Sequence, residues 1–92
     1  GIRGEALSLF YQHFYRMPAG LYVTQVEEGS PADLAGVETG DILLQLDSTR
    51  ISEMDDLNTA LYSHQAGDTV TLTIYRSGYQ NTLELTLAEA RG

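Results

Sequence analysis

The sequence predicts one small α+β domain, in which strands, the last two forming a hairpin, are set among short helices. Three observations carry this expectation: a length of 92 residues, two adjacent alternating apolar runs late in the chain, and serine- and proline-marked helix starts set between strand-like segments. About ninety residues bury roughly 60 to 65% of the unfolded chain's surface, enough for one core and too little for two. A single domain over residues 1–92 follows.

Leu7, Phe10, Tyr11, Phe14 and Tyr15 follow the spacing of an amphipathic helix, and Pro18 and Gly20 end it, which predicts a helix over residues 8–16. Four of the chain's eight aromatic side chains lie there. They are expected to pack over the sheet edge; the functional alternative is an exposed anchor for a substrate or a neighbouring domain. Residues 21–26, Leu-Tyr-Val-Thr-Gln-Val, are β-branched and aromatic and read as a strand. Ser30 and Pro31 supply an N-cap and a first helical position, with Gly36 as the stop, so one or two helical turns follow.

A further strand over residues 42–46 turns through the polar Asp47-Ser48-Thr49-Arg50 into Ile51. Ser52-Glu53-Met54-Asp55 has the pattern of a capping box, and the helix it starts keeps Leu57, Ala60 and Leu61 on one broad apolar side until Ala66-Gly67. This is the longest predicted helix. Val70, Leu72 and Ile74 then alternate with polar residues, and beyond Ser77-Gly78 so do Leu83, Leu85 and Leu87. The two runs make a hairpin with one buried face.

Composition removes several functions. Thirteen acidic side chains face five basic ones, all arginine, for a formal charge of −8. A duplex-binding or anionic-membrane surface needs a basic patch, so nucleic acid is not an expected partner. With no cysteine there is no disulfide scaffold, zinc knuckle or thiol nucleophile. His13 and His64 have no ligand spacing, and no metal or other cofactor is expected. Ser8, His13 and Asp33 could be named as a triad, but no nucleophile elbow accompanies them and no carboxylate pair stands out for acid–base work. The chain is read as non-catalytic. No apolar run approaches the ~18 residues of a membrane span. The start at Gly1-Ile2-Arg3-Gly4 and the end at Arg91-Gly92 read as a piece of something longer.

The spaced blocks Ser30-Pro31-Ala32, Ala35-Gly36-Val37, Gly40-Asp41-Ile42-Leu43 and Gly67-Asp68-Thr69-Val70 resemble a bacterial PDZ domain over essentially the whole chain. The fold this implies is a partly open antiparallel β-sandwich or barrel capped by two or three short helices, in the circularly permuted bacterial order. Gly1-Ile2-Arg3-Gly4 looks like the end of the carboxylate-binding loop of HtrA/Deg serine proteases, whose first two residues would precede Gly1. A second departure from the family pattern is Asp47-Ser48-Thr49, where a glycine is common.

The resemblance implies that the chain binds apolar C-terminal or unfolded polypeptide segments by strand addition along residues 2–7, opposite a helix over residues 52–63. It assigns Gly1, Ile2, Arg3, Gly4, Met54, Asn58 and Leu61 to peptide binding and turns Leu57 and Ala60 to the core. Ile2, Leu61 and Met54 would hold the ligand's last apolar side chain. Met54 replaces the histidine of many eukaryotic relatives, which implies an apolar preference two residues before the terminus. Asp55 and Asp56 either favour a basic residue further upstream or simply complement the helix dipole.

The resemblance further implies an attached protease domain, a homo-oligomeric parent, and a place outside the bacterial cytoplasm, in the periplasm or at the cell surface, with membrane anchoring through a preceding segment. A tail-processing or intramembrane protease carries similar blocks, and a scaffold or secretion module without a protease is the third reading.

Overall fold

The computed structural model describes residues 2–87. Its elements run β1 (Ile2–Ala6), α1 (Leu9–Phe14), β2 (Leu21–Val26), α2 (Pro31–Ala35), β3 (Ile42–Leu46), β4 (Thr49–Arg50), α3 (Met54–Tyr62), β5 (Thr69–Arg76) and β6 (Tyr79–Thr86). The described strands form one antiparallel sheet in the order β1-β2-β3-β5-β6, with the short β4 paired to β3. The sheet is open: β1 pairs with β2 at one end and β6 with β5 at the other. This is the antiparallel sheet with three short helices that the sequence predicts.

Alternation decides which face is dry. Leu21 and Val23 of β2, Leu43 and Leu46 of β3, and Val70, Leu72 and Ile74 of β5 are buried together, joined by Ile51, Leu57, Ala60 and Leu85. The β5–β6 hairpin closes through the two residues Ser77 and Gly78, at φ 52° and 85°. Positive φ at both central positions marks the tight turn whose twist matches the flanking strands, and Gly78 adopts it without a Cβ penalty. The sheet's pairing also brings distant charges together. Ile42 pairs with Tyr75, so the residues next along, Asp41 and Arg76, become neighbours. Asp41 accepts from the Arg76 Nε at 2.7 Å and from its Nη2 at 2.6 Å, and also from the Glu38 backbone N–H at 2.8 Å.

Two local expectations are corrected. The N-cap of α3 is Glu53 and not Ser52. A single carboxylate oxygen of Asp56 accepts from the Ser52 N–H (3.0 Å), the Ser52 hydroxyl (2.8 Å) and the Glu53 N–H (3.2 Å), so the serine donates to the acid instead of capping the helix. These donors hold the Asp56 carboxyl below the usual range, the serine hydroxyl first among them. Asp56 therefore serves the helix start, in line with its dipole-complementing reading.

The second correction concerns α1, which buries none of its residues. Phe10, Phe14 and Tyr15 are 63, 69 and 56% exposed, and Tyr11 is 48% exposed. Six residues are too few to lay an aromatic stripe across a sheet, and the rings cover one another: Phe10 stacks on Phe14 and Tyr11 on Tyr15, with centroids 5.3 and 5.4 Å apart.

Candidate functional site

The site begins with an edge. β1 contains Gly4, whose added Cβ would stand 2.5 Å from the Tyr22 carbonyl oxygen and 3.2 Å from the Leu21 side chain. Only glycine lets β1 lie this close to β2. Just beyond the strand, the Leu7 N–H bonds the Gly20 carbonyl at 3.0 Å, so Leu7 turns its backbone groups toward β2. In an antiparallel ladder such groups alternate, which turns those of Glu5 toward β2 and those of Gly4 and Ala6 away from it. Among the described residues no strand pairs that outer edge.

α3 packs beside β1 on the core face. It buries Leu57 and Ala60 and leaves a pocket of about 150 Å³ between helix and strand, lined by Ile2, Met54, Leu57, Asn58 and Leu61 together with apolar residues of the sheet. An apolar cavity of that order accommodates a benzene-sized group. Positions 54, 58 and 61 stand on one helical face because they are four and three apart. The structure thus brings Ile2, Met54, Asn58 and Leu61 around one opening. Arg3 lies apart from it, exposed, in a shallow depression with Gln25 and Glu27; its carbonyl accepts from the Thr24 hydroxyl at 3.1 Å. Gly1 lies outside the described residues.

Sequence reasoning missed part of the lining: Ala32 of α2, Leu46, Leu72, Leu85 and Leu87 also border the pocket. Alternation marks the strand leucines as apolar, but no local signal says that they surface at the base of a groove.

The C-terminal end of α3 is held by His64. Its Nδ1 lies 2.9 Å from the Ala60 carbonyl and its Nε2 3.1 Å from the Asp47 carboxylate. Both neighbours are acceptors, and only the imidazolium donates to both. The Ala60 carbonyl first, then the hydrogen bond to Asp47, push the His64 pKa above 6.5. Asp47 is held low in turn, chiefly by the Thr71 backbone N–H, which it accepts at 2.8 Å.

A raised folded-state value means that this contribution to stability is complete below the unfolded value of about 6.5 and disappears as pH rises through the folded value. We therefore expect the His64 ring to titrate above 6.5 in an NMR pH series and the Asp47→Asn variant to lower that midpoint. A midpoint at or below 6.5 in the parent chain would contradict the bridge.

Residues 1–87 match the PDZ domain family. The chain is 39% identical over 71 residues, 77% of its length, to the serine protease Do-like HtrA of Lactococcus lactis subsp. lactis strain IL1403, of which it spans 17%. It is 33% identical over 70 residues to the probable periplasmic serine endoprotease DegP-like of Pseudomonas fluorescens strain Pf-5, covering 76% of this chain and 15% of that protein. The crystal structure of the HtrA3 PDZ domain bound to a phage-derived ligand, FGRWV, superposes with a TM-score of 0.78 at 20% identity, over 94% of this chain and 80% of that one. The free edge, the helix beside it and the match over almost the entire length agree: the chain belongs to the PDZ domain family.

Proposed function

We propose that residues 1–92 form the peptide-recognition module of an HtrA/Deg-type serine protease, taking the apolar C-terminal end of a polypeptide as an added strand on β1. The observation that carries this reading is the β1 edge, which no strand among the described residues pairs, beside an apolar pocket framed by Ile2, Met54, Asn58 and Leu61. Main-chain pairing to Gly4 and Ala6 supplies affinity, and the alternate side chains of the ligand supply selectivity. The last side chain sits between Ile2 and Leu61, and the one two residues earlier meets Met54. The terminal carboxylate lies at the Ile2 end of β1, where the family pattern assigns Gly1 and Ile2 to its capture, and Arg3 adds positive charge on that side.

The relatives are serine proteases, one of them periplasmic, which supports an attached protease domain and a place outside the bacterial cytoplasm; a homo-oligomeric parent is part of the same proposal. The ligand of the HtrA3 domain ends in valine, which accords with an apolar terminus. Binding raises the local concentration of substrate or shifts the protease between states.

Selection from a library of random C-terminal peptides tests the reading. We expect enrichment of Val, Leu, Ile, Met or Phe at the last position and of apolar residues two positions earlier, with no Ser or Thr requirement there. A terminal aspartate or glycine is expected to bind at least about tenfold more weakly than valine, the equivalent of burying one aliphatic side chain. A library without apolar enrichment at the last position would contradict it.

A further inference from the structure

The outer face of the sheet, opposite the groove, carries a second concavity. About 540 Å³ of open space lies between β1 and α1, lined by Glu5, Leu7, Tyr11, Tyr15, Met17 and Tyr22 among others. Glu5 pairs directly with Tyr22 across the β1–β2 ladder, so their side chains share one face. The neighbouring pairs, Gly4 with Val23 and Ala6 with Leu21, point to the other face, where Val23 and Leu21 are fully buried. From α1, Tyr11 and Tyr15 stack at 5.4 Å with 16° between their planes. Half-exposed tyrosine rings and one carboxylate with no cationic partner among the described residues thus face the same opening.

Strand addition makes this concavity part of the binding surface. In an added strand the side chains alternate between faces. With the last residue opposite Ile2, the chain direction sets the residue three positions earlier opposite Glu5, on the outer face. Directly opposed side chains in an antiparallel pair have Cβ atoms about 5 Å apart, so a long side chain at that position reaches over Glu5 toward the tyrosines.

We propose that this concavity is a second specificity site, which takes an arginine or lysine three residues before the ligand's C terminus. The carboxylate of Glu5 meets the cationic head, the ring faces of Tyr11, Tyr15 and Tyr22 attract it through their quadrupoles, and Met17 packs on the aliphatic stem. The chain's charge of −8 adds a field of the right sign. This proposal rests on the strand-addition reading above and gives α1, whose rings the core does not use, a partner of defined chemistry.

The test compares three peptides ending in valine that differ only three positions from the end, with arginine, norleucine or alanine there. Each is measured by fluorescence anisotropy against the 92-residue chain, and the arginine peptide also as its C-terminal amide. Arginine is expected to bind about fivefold tighter than alanine, with norleucine between them. In the Tyr11→Ala/Tyr15→Ala variant that ratio falls below about twofold, and Glu5→Gln or high salt reduces it. Glu5→Gln changes an exposed side chain and keeps the proposal testable if the double variant does not fold.

Carboxylate-dependent binding with equal affinity for arginine and alanine overturns this proposal alone. So does an arginine preference that survives in both variants. Equal binding of the free and amidated peptides overturns the groove reading, and this one with it.

Discussion

Replacing Asp41 by alanine is expected to lower the thermal unfolding midpoint by about 15 °C. Asp41 is 2% exposed and carries the charge at the centre of a small network. It accepts two hydrogen bonds from Arg76 and one from the Glu38 N–H, while the same guanidinium donates to the Gly36 carbonyl at 2.7 Å and pairs with Glu38 at 3.2 Å. Hydrogen bonding to Asp41 is the first cause of the raised Arg76 pKa.

Removing one partner of a buried pair costs about 3–5 kcal/mol because the other charge stays behind. The Arg76 side chain is 32% exposed, so water recovers part of this and about 2–3 kcal/mol remains. For a domain of this size each kcal/mol moves the midpoint by roughly 4–8 °C. Removing the exposed Asp55 carboxylate as Asp55→Ala is expected to stay within about 0.5 kcal/mol. A fall of less than about 3 °C for Asp41→Ala, measured by calorimetry, would show that the network is not a structural centre.

This network illustrates what local sequence patterns leave out. Gly40-Asp41 is visible in the sequence, but its partner stands 35 positions away, and only the β3–β5 register makes the two neighbours. Features that depend on a few adjacent residues were legible: Ser30 caps α2 and Pro31 opens it, the alternation of residues 70–74 marks a buried face, and Ser77-Gly78 is the hairpin turn. The start of α3 shifted by one residue because Asp56, one position after the expected acid, gathers the donors.

β1 has no alternation of its own and includes a glycine, so only the family resemblance placed a strand there. Its formation depends on how closely Gly4 approaches Tyr22. For α1, periodicity told which rings share a face but not whether anything covers that face. Coverage is a tertiary property, and here the rings supply it for each other. The same division runs through the groove. The helical spacing of Met54, Asn58 and Leu61 is local, whereas the leucines contributed by β3, β5 and β6 enter through sheet packing.

The second large effect expected is a weakening of peptide binding when the ligand's terminal carboxylate is removed. Hydrogen bonds to a charged group contribute about 1.5–3 kcal/mol each, so losing one weakens binding by at least about tenfold. Strand pairing along Gly4 and Ala6 does not need the carboxylate, and binding through the exposed rings of α1 does not need it either. Dependence on the free terminus therefore separates the end-capturing groove from a generic sticky surface.

The measurement is an NMR titration of the isotope-labelled chain with a peptide that ends in valine and with its C-terminally amidated twin. Strand addition at β1 predicts shifts along residues 2–7 and 54–61 with the free peptide, and affinity at least about tenfold lower for the amide. Equal affinity for the two peptides, or shifts confined to residues 10–15, would contradict it.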